Sequence, residues 1–118
     1  MRQLPLVLLC LFAFAATAEA HARLESASPP VGGTVQAPPK QVAITFSEEV
    51  EPVFSTIEVT DAAGKRVDSG KPDRAPDKPQ VLVVGLQPLG PGIYRVVWHA
   101  VSVDTHRTQG SYSFTVAR

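Results

Sequence analysis

Across residues 21–118 no stretch of about ten residues carries a helical repeat; apolar residues alternate with polar ones in short runs cut by proline and glycine. Such a pattern restricts the chain to strands. A strand with period-two alternation has one apolar face, which is stable only when it is buried against another. The candidate strands are residues 23–28, 41–46, 56–60, 65–68, 80–84, 93–101 and 110–116. About seven segments with turns between them predict an all-β fold, a Greek-key sandwich or closed barrel.

The connections support this reading. Asp61-Ala62-Ala63-Gly64 supplies the residues of a tight turn, so 56–68 is predicted to be a hairpin. Residues 69–79 carry three prolines and five charged side chains, a composition expected of a solvated and mobile connection. Leu89-Gly90-Pro91-Gly92-Ile93-Tyr94 has the form of a tyrosine corner, in which the phenol bonds back to the upstream backbone. Beyond it, Tyr94, Val96, Trp98 and Ala100 share one face, with Trp98 the expected core anchor, while Arg95, Val97 and His99 share the other. Tyr112, Phe114 and Val116 form a second apolar face.

The first twenty residues read as an export signal: Arg2, an apolar run from Leu4 to Ala16, then Ala18-Glu19-Ala20 as the cleavage pattern. The run is too short for a bilayer crossing of ~20 residues. The expected organisation is therefore a signal over residues 1–20 and one domain over 21–118, delivered to an oxidising compartment. Cleavage also removes Met1 and Cys10, so the 98 remaining of 118 residues hold no sulfur ligand. Charges of opposite sign balance at eleven each in the full chain, which gives no electrostatic basis for binding nucleic acid.

Cleavage after Ala20 makes His21 the first residue, with a free α-amine beside its imidazole. The amine, with a reference pKa of ~7.7–8.0, yields its proton to a metal near neutral pH, and amine plus Nδ1 form a chelate. In Asp104-Thr105-His106 the i, i+2 spacing on an extended strand puts a carboxylate and an imidazole on one side. Together they make an N,N,N,O donor set, the tetragonal pattern suited to one Cu(II). Glu48, Glu49 and Glu51 form an acidic strand end from which one carboxylate is available as a weak further contact, whereas His99 reads as a surface residue.

Over residues 21–118 the chain resembles the CopC family of periplasmic copper-resistance proteins. The resemblance rests on His21-Ala22-Arg23-Leu24 with Ser28-Pro29-Pro30, on Ile44-Thr45-Phe46-Ser47-Glu48, on Pro91-Gly92-Ile93-Tyr94 with Val97-Trp98, and on Val101-Ser102-Val103-Asp104-Thr105-His106 continued by Gly110 to Val116. It implies a seven-stranded Greek-key β-barrel or sandwich, immunoglobulin-like and of cupredoxin-like appearance, holding Cu(II) through His21, Asp104 and His106, with Glu48 as an additional contact. It further implies a periplasmic, non-enzymatic carrier or buffer, expected as a monomer, with a CopD-type inner-membrane protein as partner. Many relatives carry a Met-rich Cu(I) site, which is expected to be missing here. Two other readings compete: a small histidine-brace copper oxidase, and a metal-free immunoglobulin-like interaction module.

Overall fold

The structure is a computed structural model that describes residues 22–118. The expected signal segment and His21 lie outside the described residues. Two four-stranded sheets pack face to face. The first holds β1 (Leu24–Ser28), β3 (Gln41–Phe46), β6 (Lys78–Gly85) and β5 (Asp73–Ala75), in the order β1-β3-β6-β5. The second holds β2 (Thr34–Val35), β8 (Arg107–Val116), β7 (Gly92–Val101) and β4 (Thr56–Thr60), in the order β2-β8-β7-β4. A 3₁₀ turn, Pro52–Phe54, precedes β4. The chain crosses repeatedly between sheets, as expected of a Greek-key sandwich. Among the described residues no helix is long and apolar enough to cross a membrane.

The alternation read from the sequence becomes the core. Val42, Ile44 and Phe46 of β3 and Leu82 and Val84 of β6 face Ile57 and Val59 of β4, Tyr94, Val96, Trp98 and Ala100 of β7, and Tyr112, Phe114 and Val116 of β8, all buried. Each large aliphatic or aromatic side chain so placed contributes ~1.5–3 kcal/mol from burial. Trp98 meets Phe46 edge-on with ring centres 5.2 Å apart, which ties the two sheets together. The tyrosine corner forms as expected, Tyr94 donating from its hydroxyl to the Gly90 carbonyl at 2.7 Å.

The 61–64 turn also forms: Gly64 has φ +84°, and the Asp61 carboxylate accepts from the backbone of Ala63 and Lys65, both at 2.9 Å. The second arm of that hairpin departs from expectation. Residues 65–68 are not a strand, because the segment leaves one sheet for the other: Arg66 bridges Thr60 of β4, and Asp68 bridges Leu86, just beyond β6. The buried Asp68 carboxylate replaces ladder bonds, accepting from the Val59 backbone at 2.8 Å and from Arg66 Nε at 2.7 Å. The expectation of a featureless 69–79 loop is likewise corrected. It contains β5, paired antiparallel with β6 through Asp73↔Val83 and Arg74↔Leu82. The two-residue β2, parallel to the end of β8, is the other strand that alternation did not mark.

Candidate metal site at one end of the sandwich

Strands β7 and β8 form one long hairpin whose last ladder pair is Val101↔Arg107. Residues 102–106 turn the chain, with Ser102 N–H donating to the His106 carbonyl at 3.0 Å and Thr105 N–H to the Ser102 carbonyl at 2.9 Å. The turn requires φ +72° at Thr105, a left-handed conformation that costs a β-branched residue ~1–2 kcal/mol. Asp104 and His106 are thus not neighbours along an extended strand, as their spacing suggested. A tight turn joins them instead, and the outcome for chemistry is the same: Asp104 Oδ2 lies 3.1 Å from His106 Nδ1, and both side chains are exposed.

The other carboxylate oxygen is held from behind. Oδ1 accepts from the Ser102 hydroxyl and, at 3.3 Å, from the His106 backbone N–H. The Ser102 hydrogen bond, followed by those from His106, depresses the Asp104 pKa to about 2, so the carboxylate is anionic at any physiological pH. Ser102 is 1 % exposed, and no spacing rule singled it out. The signal in the sequence was a serine two residues before the aspartate, a spacing at which a hydroxyl and a carboxylate can meet.

Two further segments are fastened to this hairpin end. Thr108 donates from Oγ1 to the Ala22 carbonyl at 2.6 Å, and Ala22 itself is buried. Arg23 N–H donates to Ser47 Oγ at 2.9 Å while Ser47 N–H donates to the Arg23 carbonyl at 2.8 Å. Val103 N–H donates to the Glu49 carbonyl at 3.2 Å, and Val50 bridges Ser102. The first described residues, the strand end that carries Glu48, and the Asp104 turn therefore meet at one pole. Glu48 sits between two of these fastenings, but its side chain does not complete a cluster: among the described residues no three His, Cys, Asp or Glu side chains gather as a metal-binding group.

The neighbouring acids have a different employment. Arg74 of β5 places one guanidinium nitrogen 3.3 Å from Glu49 and 3.9 Å from Glu51, and donates from it to the Val50 carbonyl at 2.9 Å. This pairing escaped the sequence because Arg74 lies in the segment read as loop. His99 is exposed on the outer face of β7, with Nδ1 3.5 Å from Thr56 Oγ1, consistent with a surface residue.

Comparison with known proteins adds independent findings. Residues 24–117 match the CopC domain family. The chain is 38% identical over 98 residues to Protein YobA of Escherichia coli strain K12, covering 82% of this chain and 79% of that protein. It is also 38% identical over 107 residues to Copper resistance protein C of Escherichia coli, covering 85% of this chain and 84% of the relative. Among solved structures, the crystal structure of CopC from Methylosinus trichosporium OB3b superposes with a TM-score of 0.77 at 37% identity, over 82% of this chain and 94% of that one. A sandwich of this topology, matched in sequence along nearly all of its described length and in structure at that identity, belongs to the CopC family.

Proposed function

We propose that this protein is a periplasmic Cu(II) carrier that captures one copper ion per chain and passes it to a CopD-type inner-membrane protein, without itself catalysing a reaction. The observation that carries the reading is the Asp104–His106 pair at the pole where the Ala22 carbonyl is tied to Thr108. Two donors each ~2.0 Å from a metal and at right angles to one another are ~2.8 Å apart. The 3.1 Å separation of Oδ2 and Nδ1 fits one edge of a tetragonal site with little adjustment. His21 precedes Ala22 directly in the sequence, and its amine and imidazole would supply the two further donors once the signal is removed. Glu48 serves as a weak contact from the adjoining strand end.

The chemistry of the donors sets the oxidation state. Nitrogen and carboxylate oxygen suit Cu(II), and residues 21–118 contain no Cys or Met to hold Cu(I). The name of the Escherichia coli relative, Copper resistance protein C, supports copper as the cargo. The test is calorimetric titration of the chain beginning at His21 with Cu(II) at neutral pH. One copper is expected to bind, with release on acidification as the amine and both imidazoles regain protons. His21→Ala is expected to weaken binding by at least tenfold; equal affinity in that variant would remove the basis of the proposal.

A further inference from the structure

We infer that Ser102 is a positioning residue that makes Asp104 a one-oxygen ligand, a reading that deepens the proposed copper site and rests on it. The carboxylate has two oxygens, and the structure gives them separate partners. Oδ1 takes the Ser102 hydroxyl and the His106 N–H, while Oδ2 alone lies against His106 Nδ1. Ser102 is in turn fixed. It is buried, its N–H is bonded to the His106 carbonyl at 3.0 Å, and it bridges Val50, whose own carbonyl accepts from Arg74. The hydroxyl therefore stands on an anchored backbone and not on the free tip of a turn.

The arrangement has a consequence for which cations the site accepts. With Oδ1 occupied from behind, the carboxylate cannot swing to grip a cation through both oxygens, as Ca²⁺ sites commonly require. A single oxygen held beside an imidazole nitrogen is the edge that a tetragonal Cu(II) needs. Outer hydrogen-bond partners of metal ligands typically change affinity by about 10–100-fold when removed.

The test compares the wild-type chain beginning at His21 with Ser102→Ala and Ser102→Thr. Chelator competition gives Cu(II) affinity, electron paramagnetic resonance of the copper-loaded protein gives coordination, and thermal melts of the metal-free protein give the structural effect. Ser102→Ala is expected to lose about 10–100-fold in affinity with altered copper hyperfine splitting. Ser102→Thr, which keeps the hydroxyl, is expected to restore the wild-type spectrum. Ser102→Ala with wild-type affinity and spectrum would overturn the assignment while leaving the copper site itself intact; no copper uptake by the wild type would overturn both. Should Ser102→Ala not fold, a crystal structure of the copper-loaded wild type decides. Copper bonded through one Asp104 oxygen, with the other on Ser102, upholds the assignment, and two-oxygen coordination refutes it.

Discussion

Gly110 lies opposite Trp98 in the β7–β8 ladder and on the same face of β8 as Tyr112 and Phe114. Its missing side chain makes room for the indole. A methyl group built there would sit 2.6 Å from Trp98 Cζ2, 2.8 Å from Cε2 and 3.0 Å from Nε1. Carbon atoms rest about 3.5–4.0 Å apart, so Gly110→Ala demands a shift of about 1 Å by a rigid ring. That ring cannot retreat freely, because it is 94 % buried and meets Phe46 edge-on at 5.2 Å. Overpacking of this kind costs about 1–3 kcal/mol. For a domain near ~100 residues each kcal/mol lowers Tm by about 4–8 °C, so a fall of at least ~4 °C is expected. Trp98 is the only tryptophan in the chain, so its fluorescence reports the displaced ring directly. Melting followed by circular dichroism and by emission tests both consequences. A variant that melts within 1 °C of wild type, with unchanged emission, would refute the packing argument.

Two core tyrosines should respond oppositely to loss of the hydroxyl. Tyr94→Phe removes the bond to Gly90 and is expected to cost about 1 kcal/mol, whereas Tyr112→Phe removes a buried hydroxyl that has no hydrogen-bond partner among the described residues and should stabilise by about 1 kcal/mol; urea denaturation measures both. Burial pushes the Asp68 pKa up, but the Arg66 guanidinium and the backbone N–H groups of Val59 and Gly70 outweigh it and hold it below its ordinary value. A folded-state pKa below the unfolded one contributes stability that is fully present above about pH 4 and lost as pH falls further. Unfolding free energy of the wild type should therefore drop more steeply below pH 4 than that of Asp68→Asn.

The long strands were legible because their side chains alternate over enough residues to define a face. Tyr94 to Ala100 and Tyr112 to Val116 occupy the sides that the period of two assigns them. The short strands were not, because two or three residues at a sheet edge carry no periodicity: Thr34–Val35 and Asp73–Ala75 exist only through their neighbours' free backbone groups. Residues 65–68 misled for the opposite reason. They follow a tight turn as the second arm of a hairpin would, but the buried Asp68 carboxylate and the change of sheet break the ladder that a hairpin implied. At the candidate site, the pairing of Asp104 with His106 was readable from spacing, though by way of a strand where the chain builds a turn with Thr105 left-handed. Ser102 and Arg74 were invisible because their roles depend on what lies across the fold, and His21 falls outside the described residues.

Strand β8 begins at Arg107, beside the Asp104 turn, and ends at Val116. At ~3.3 Å per residue its ten residues carry the chain ~30 Å away from that turn, to the opposite pole of the sandwich. Whatever is joined after Val116, whether a reporter, a surface linker or another protein, is thus set a full domain length from the turn that carries Asp104 and His106. The molecule can be tethered by its tail and still leave the Asp104–His106 pair facing outward.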